Sequence, residues 1–227
     1  MASPPIRRAL KKFRLFQSLT KEEDARLMRA SATRRLARGE QFAGAGHRAP
    51  GLCLLKSGSV TLSLGNGRAR RVFRVVGPGE SFLEAPALSR SSSPFEIRAL
   101  DAAEVLTVPS ASILAVLWRN PRFAQDLVAV VAARAMLGLR YLHGTTLPVA
   151  ARVANHLHAI ARASKSGACQ VVLPATKTIL ADQLGMKKET LSRALRALSD
   201  NGLIAVNGRR IEILDRAGLA RVPVNGG

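Results

Sequence analysis

The sequence predicts an α+β protein in which an N-terminal double-stranded β-helix, or jelly roll, is followed by a long helix and a small C-terminal domain. Three observations predict this fold. Short strand patterns broken by glycine fill residues 34–108, an apolar stripe at helical spacing runs through residues 121–143, and two helical patterns flank a glycine within residues 176–202. We expect three parts, at residues 1–120, 121–144 and 145–227.

The composition narrows the classes of function before any motif is considered. Thirty-five Lys and Arg residues against fifteen Asp and Glu residues give a net charge of +20, which suits a polyanionic partner such as nucleic acid. Two cysteines, Cys53 and Cys169, are too few for a disulfide framework and fit a reducing compartment. No apolar run reaches membrane-spanning length, and the basic start lacks the apolar core of a signal peptide, so we expect a cytoplasmic protein with no membrane partner.

Two short helices are predicted before the jelly roll. Apolar residues recur at helical spacing within residues 5–16. Thr20 is a good N-cap, and the acidic residues that follow it suit the positive end of a helix dipole. The second helix should therefore span residues 21–32.

The segment that follows predicts an antiparallel barrel or jelly roll. Its strand patterns are short and rich in β-branched residues, and Gly-Asn-Gly at residues 65–67 is typical of a hairpin turn. The predicted strands span residues 52–55, 59–64, 70–76, 95–99 and 104–108.

A short helix at residues 110–118 and a long one at residues 121–143 should come next. The long helix carries apolar or small residues at alternating spacings of three and four, which predicts a seam that a second copy would bury. The alternative is a core helix within one domain. The predicted dimer contacts are Val128, Val131, Ala135, Gly138 and Leu142.

The last part of the chain has the pattern of a winged helix-turn-helix. Helices are predicted at residues 149–164, 176–184 and 187–201, a strand at 170–173, and a hairpin around Asn207-Gly208. Gly185 would allow the tight turn between the last two helices. Leucines form the buried stripe of the final helix, and the opposite face is polar and basic, as DNA contact requires. The predicted DNA contacts are Thr176, Lys177, Lys187, Lys188, Glu189, Thr190, Ser192, Arg193, Arg196 and Arg209.

With these elements the chain resembles the Crp/Fnr family of bacterial transcription regulators over nearly its whole length. Residues 188–193 (KETLSR) resemble the recognition-helix motif of the Fnr-like branch. The resemblance implies a cyclic-nucleotide-binding-like jelly roll, a homodimer, RNA polymerase as a partner, and TTGAT half-sites in an inverted repeat of double-stranded DNA. It also implies that Glu189 contacts cytosine, Ser192 thymine and Arg193 guanine, while Lys188 contacts phosphate.

The residues of the cyclic-nucleotide cassette are only partly present. Glu84 lies where the family has its glutamate, but Leu83 replaces the preceding glycine, and Ser93-Pro94 replaces the Arg-Ser pair that holds the cyclic phosphate. Losing that arginine removes a bidentate contact. We therefore expect no physiological cyclic AMP binding, although a regulator of this fold that responds to a cyclic nucleotide or another small molecule is the alternative.

Within the family, the segment Pro78–Ala85 resembles the regulators of dissimilatory nitrate respiration. An iron–sulfur sensor is excluded because the N-terminal cysteine cluster is missing. The resemblance implies a haem cofactor in an apolar cavity and a response to nitric oxide. None of His47, His143, His156 and His158 is diagnostic of an axial ligand. The predicted ligand contacts are Phe82, Leu83, Glu84 and Leu137.

Two other classes of function compete with this interpretation. An enzyme on the jelly roll, such as a cupin-type oxygenase, would need paired strand histidines, yet His47 is the single histidine within residues 34–108. We therefore expect no enzyme activity. A non-specific architectural nucleic-acid binder would suit the charge of +20, but the recognition-helix motif argues against it.

Overall fold

The computed structural model describes residues 13–65, 70–144, 146–163, 170–173, 176–208 and 210–222. By its internal contacts the chain forms two compact units, Met1–Leu137 and Gly138–Gly227, and each is treated by itself. In the described part of the chain, no helix is both long and apolar enough to cross a membrane.

The first unit contains a jelly roll of two four-stranded antiparallel sheets. Its strands are β1 (Ala32–Leu36), β2 (Gln41–Ala43), β3 (Leu52–Ser57), β4 (Val60–Leu64), β5 (Arg71–Val76), β6 (Ser81–Phe82), β7 (Glu96–Ala99) and β8 (Ala103–Val108). One sheet has the order β1-β8-β3-β6 and the other β2-β7-β4-β5. This confirms the predicted jelly roll, whose strand ends lie within two residues of the prediction. The sequence pattern did not reveal β1, β2 and β6.

The two faces of β3 explain its uninterrupted apolar sequence. Cys53 and Leu55 point into the roll, whereas Leu52 and Leu54 pack under the helices on the other face of the sheet. A strand covered on both sides has no polar face, so alternation disappears. The helices of this unit are α1 (Lys21–Ala30), α2 (Glu84–Ser89), α3 (Ser110–Leu117) and α4 (Pro121–Gly144), the last of which continues into the second unit.

The predicted first helix at residues 5–16 lies mostly outside the described residues, and its described end, Arg14–Phe16, is a 3₁₀ turn. Thr20 caps α1 as predicted. Its Oγ1 accepts from the Glu23 amide at 3.2 Å, and the Glu23 carboxylate accepts from the Thr20 amide at 2.9 Å. The helix ends at Ala30 instead of residue 32, because Ala32 already pairs with Thr107 in the sheet.

The long helix α4 occupies the predicted residues and is anchored at its start. The Asn120 side-chain oxygen accepts from the Phe123 amide at 2.9 Å, as an N-cap does. Phe123 and Leu127 are buried in the apolar cluster beneath α1 and α3. Beyond Leu127 the helix carries exposed apolar side chains, among them Val128 and Leu142.

The second unit is a helical domain with a three-stranded sheet. After the end of α4 come α5 (Val149–Ala163), β9 (Gln170–Val172), α6 (Lys177–Gln183), α7 (Lys188–Asp200), β10 (Ile204–Asn207), β11 (Arg210–Ile213) and α8 (Arg216–Ala220). The sheet order is β10-β11-β9. Leu157, Leu191 and Ile211 are fully buried where the helices meet the sheet.

Candidate functional site

Helices α6 and α7 form a helix-turn-helix whose turn is closed by backbone hydrogen bonds. Gly185 has φ of 64°, a left-handed conformation that favours glycine. The Gly185 amide donates to the Asp182 carbonyl at 3.0 Å, and the Met186 amide donates to the Ala181 carbonyl at 2.9 Å. This pair of bonds ends α6 and directs the chain into α7 within four residues.

Arg152, which the sequence analysis did not single out, also supports this turn. Its Nη1 atom donates to the Leu184 carbonyl at 2.9 Å and lies 3.4 Å from the Gly185 carbonyl. Because Arg152 lies on α5, this contact ties a third helix to the turn that sets the angle of α7. No local motif reveals such a contact, since 32 residues separate the partners.

Helix α7 has two chemically distinct faces. Leu191, Ala194, Leu195 and Leu198 are buried against α5 and α6. The opposite face is solvent-exposed, and Lys187 is the N-cap residue that precedes it. The predicted DNA contacts that are exposed are Thr176, Lys187, Lys188, Glu189, Ser192, Arg193 and Arg196.

The other predicted DNA contacts differ in exposure. Lys177 and Thr190 are partly buried. Arg209 lies outside the described residues. Arg196 lies 4.0 Å from Asp200 in an exposed ion pair, a contact that contributes little to stability and leaves the arginine accessible.

The hairpin after α7 follows the predicted wing with a one-residue difference. The sequence pattern predicts Asn207-Gly208 at the tip of the turn, but Asn207 is the last residue of β10 and pairs with Arg210. β9 adds a third strand beside β11, because Val171 pairs with Ile211. Arg210, the first residue of β11, pairs with Asn207 and Val172 in this sheet and is exposed.

In the jelly roll, three of the four predicted ligand contacts are buried. Phe82, Leu83 and Glu84 are each no more than 5% exposed, whereas Leu137 on α4 is 37% exposed. Leu83 has φ of 62°, a left-handed conformation that is unusual for a branched side chain. A left-handed residue is most easily a glycine, which is the residue that the cyclic-nucleotide cassette has at this position.

The structure brings a set of charged residues to Glu84 that the sequence analysis missed. We call Arg74, Glu80, Ser81, Glu84 and Arg134 the charged cluster. Arg74 Nη2 lies 3.0 Å from Glu80 Oε1 and 3.2 Å from the Ser81 carbonyl. Ser81 Oγ donates to Glu84 Oε1 at 2.6 Å. Burial lowers the pKa of Arg74, with Glu80 acting in the opposite direction.

Arg134 enters the charged cluster from α4. Its Nε atom lies 3.6 Å from Glu84 Oε1, and its Nη2 atom lies 3.9 Å from Glu80 Oε1 and 3.5 Å from the Ser81 carbonyl. The side chain of Glu84 is only 6% exposed, so its charge needs nearby donors. Ser81 donates the hydrogen bond, and Arg134 contributes a nearby positive charge, while its own buried Nε atom has no hydrogen-bond partner among the described residues.

Ser93, which stands where the cyclic-nucleotide cassette has its phosphate-binding arginine, is buried and hydrogen-bonded within the roll. Ser93 is 1% exposed, its amide donates to the His47 carbonyl at 2.9 Å, and its Oγ accepts from the Phe95 amide at 3.1 Å. Arg98 cannot replace the arginine from its present place, because it is bound to Glu96, Gln41 and the Gly39 carbonyl. Arg90 is exposed at the end of α2.

The described residues of the roll do not fit the predicted haem. His47 is exposed in a loop, and Cys53 is a buried thiol whose pKa is raised to about 12 by burial. His156 and His158 belong to the second unit, and the side chain of His143 lies outside the described residues. In the described part of the chain, no group of three or more His, Cys, Asp or Glu residues could hold a metal ion.

Comparison with known proteins agrees with both domains. The cyclic nucleotide-binding domain family matches residues 33–120, and the Crp-like helix-turn-helix domain family matches residues 151–222. The chain is 27% identical to a probable transcriptional regulator, flp, of Lacticaseibacillus casei over 88% of this chain and 91% of the relative. It is also 27% identical to the cyclic AMP receptor protein of Thermus thermophilus over 92% and 95% of the two chains.

Among solved structures, FixK2 of Bradyrhizobium japonicum superposes with a TM-score of 0.74 at 22% identity, covering 87% of this chain and 99% of that one. At this identity the likeness concerns the fold. The two domain families match in the order jelly roll then helix-turn-helix, and the relatives over nearly the whole chain are transcription regulators rather than enzymes. The chain therefore belongs to the Crp/Fnr family of DNA-binding transcription regulators.

Proposed function

We propose that the protein binds TTGAT-type half-sites, arranged as an inverted repeat in double-stranded DNA, as a homodimer. One observation carries the proposal: Glu189, Ser192 and Arg193 lie exposed on one face of the first half of α7, while its leucines are buried. A recognition helix contacts base edges with residues of its N-terminal half.

The chemistry of these side chains matches that half-site. A glutamate carboxylate accepts from the cytosine amino group, and an arginine guanidinium donates to the two acceptors of guanine. Glu189 and Arg193 are four residues apart and therefore project from adjacent turns of the same face. Ser192 lies between them for the thymine contact, and Lys188, in the first turn of α7, suits a phosphate.

The proposed homodimer rests on the exposed stripe of α4. Val128 and Leu142 of the predicted seam are 66% and 64% exposed, and Ala135 is exposed between them. Val131 and Gly138 are partly buried, so the exposed stripe is completed by Ala132 and Leu139, which lie one position later. The stripe keeps its alternating four- and three-residue spacing, as helix pairing requires.

A direct experiment compares three duplexes in fluorescence anisotropy at one salt concentration: the inverted repeat, a single half-site, and a scrambled sequence. The proposal predicts that the inverted repeat is bound about a thousandfold more tightly than the scrambled duplex, with two chains per duplex. Equal affinity for all three would instead favour the architectural binder that the net charge of +20 also allows. RNA polymerase is the further partner that we propose at such an operator.

For the jelly roll we keep the prediction that cyclic AMP is not a physiological ligand. The Thermus thermophilus relative is named a cyclic AMP receptor, but here Ser93-Pro94 supplies no guanidinium, and the Glu84 carboxylate is already bound by Ser81. Calorimetry with the purified full chain should show no saturable binding at micromolar cyclic AMP. Saturation in that range would contradict the prediction.

Haem-mediated nitric oxide sensing of the nitrate-respiration branch stays a sequence-based prediction. The described histidine side chains include none inside the roll. An absorption spectrum of the protein mixed with haem, with and without nitric oxide, tests this prediction. Binding of one haem per chain, with a spectrum that shifts when nitric oxide is added, would support haem sensing. A spectrum equal to that of free haem would rule it out.

A further inference from the structure

The charged cluster contains equal numbers of positive and negative side chains. Its two guanidinium groups, of Arg74 and Arg134, face two carboxylates, of Glu80 and Glu84, and the four formal charges cancel. Arg74 is 5% exposed, and Glu84 is 5% exposed. Buried charges of this kind are stable only when they are paired and hydrogen-bonded, and each carboxylate here has a cationic or hydroxyl partner within 3.0 Å.

The same cluster is also where the second half of α4 meets the roll. Leu127 is the last large apolar residue of this helix that is fully buried. Arg134 lies seven residues further on, about 10 Å along the helix axis and on nearly the same face. Around it, Val128, Ala135 and Met136 are exposed. Arg134 makes polar contacts from this part of α4 to the roll.

On the roll side, Arg134 contacts a segment whose backbone is fixed by unusual geometry. Glu80, Ser81 and Glu84 flank Leu83, whose left-handed φ ends β6 and starts α2. The Gly77 amide donates to Glu80 Oε2 at 2.7 Å, which fixes the other end of this segment. A side chain from α4 that binds both Glu80 and Glu84 holds the helix against one rigid segment of the roll.

We propose that the charged cluster takes the place of an effector: Arg134 fixes α4 against the roll through ion pairs within the chain, so that operator binding needs no small molecule. Arg134 is a positioning residue in this scheme and does not contact DNA. The inference rests on the proposed operator binding, because that is the activity it supports. An anionic ligand at the two arginines would compete with Glu80 and Glu84.

The test compares Arg134→Gln with Arg122→Gln in the full chain. Arg122 is an exposed arginine in the first turn of α4, so its replacement removes the same charge. Protein freed of small molecules, as checked by mass spectrometry, is titrated with the inverted repeat and with a scrambled duplex. We expect the wild type to prefer the operator without any addition. Arg134→Gln should lose about tenfold in operator affinity, and Arg122→Gln about twofold through lost charge.

Hydrogen exchange provides a second readout that does not depend on DNA. In Arg134→Gln, the α4 amides after Leu127 should exchange faster, while those of β3 and β8 should keep their wild-type protection. Unchanged exchange together with operator affinity equal to that of Arg122→Gln would overturn the proposal. It would also fail if the wild type preferred the operator only after a small molecule was added. A wild type with no operator preference would contradict the proposed function, and exchange in α4 would then decide alone whether Arg134 holds the helix.

Discussion

At His156 the fold keeps a titratable ring away from water. The residue lies on α5, and its Nε2 atom is buried with no hydrogen-bond partner among the described residues. Burial lowers the pKa of His156 to about 4 from an ordinary 6.5. A buried imidazole of this kind is neutral in the folded state, because charging it would leave an unpaired cation in an apolar setting.

This burial predicts a pH dependence of stability. Between pH 6.5 and 4 the unfolded chain binds a proton at His156 that the folded chain does not, so the free energy of unfolding falls as the pH falls. The loss between pH 7 and pH 5 should reach up to roughly 2 kcal/mol. Denaturant unfolding at pH 7 and pH 5 measures this loss of unfolding free energy. His156→Leu should lose less than the wild type, which would assign the pH dependence to His156.

The exposed His47 offers a matched control, because His47→Leu removes a histidine from a loop and should keep the wild-type pH dependence. The carboxyls of Glu40 and Glu96 titrate below this window. Hydrogen bonds from Ala37 and Arg34 lower the pKa of Glu40 from 4.5, and at Glu96 burial raises the pKa but the hydrogen bonds and charges of Arg70 and Arg98 outweigh it, so that pKa is also lowered from 4.5. Equal pH dependence in the wild type and His156→Leu would show that the ring is hydrated in the folded protein.

The elements that were predictable from sequence are those whose own pattern determines them. The long helix α4, the capped start of α1 and the glycine turn before α7 depend on local spacing and capping, and each was found where it was expected. β1 was missed because four of its five residues are exposed, which leaves no apolar alternation to detect. α2 was missed because it is six residues long and contains Pro86.

The candidate sites differ in predictability for the same reason. The leucines of α7 lie on its buried face, so the sequence of this helix alone predicts which of its residues are exposed. The charged cluster joins residues separated by up to 60 positions, as for Arg74 and Arg134. Nothing in the local sequence of α4 indicates that Arg134 turns toward a carboxylate while neighbouring side chains face solvent.

The exposed stripe of α4 predicts which substitutions change the oligomeric state. Leu139→Lys should convert a dimer into a monomer, because a lysine in the seam would be buried without a partner. Leu139 is 59% exposed in the single chain, so the change should leave the folded monomer intact. Light scattering at micromolar concentration measures the mass. Ala133→Lys adds the same charge on another exposed face of α4 and should stay dimeric.

A monomeric wild type, or a Leu139→Lys variant with the mass of the wild type, would contradict this assignment of the stripe. If Ala133→Lys also became monomeric, the cause would be the added charge and not the position. Comparing Leu139→Lys with Ala133→Lys therefore distinguishes a specific dimer contact at the stripe from a general effect of added positive charge, in a protein whose net charge is already +20.

The net charge of the molecule and the two-fold symmetry of a dimer contribute differently to DNA binding: the charge contributes to affinity for any duplex, and the symmetry to sequence specificity. The net charge of +20 favours association with any duplex and makes that association depend on salt. Specificity requires base contacts from two recognition helices, which in a two-fold dimer fall about 34 Å apart on successive major grooves. The two contributions can be separated by comparing a base-contacting residue with a phosphate-contacting one, and α7 carries a candidate for each.

One binding series tests whether Arg193 contacts guanine in each half-site. Wild type, Arg193→Ala and Lys188→Ala are titrated with the TTGAT inverted repeat and with duplexes in which each base pair is exchanged in turn. Arg193→Ala should bind the intact operator about 1–3 kcal/mol per half-site more weakly than the wild type does. Exchanging the guanine should then weaken binding by this variant no further, because the side chain that contacts it is gone. Lys188→Ala should weaken every duplex by a similar factor. If Arg193→Ala instead weakened all duplexes equally, Arg193 would be a phosphate contact and the claim of base recognition would be wrong.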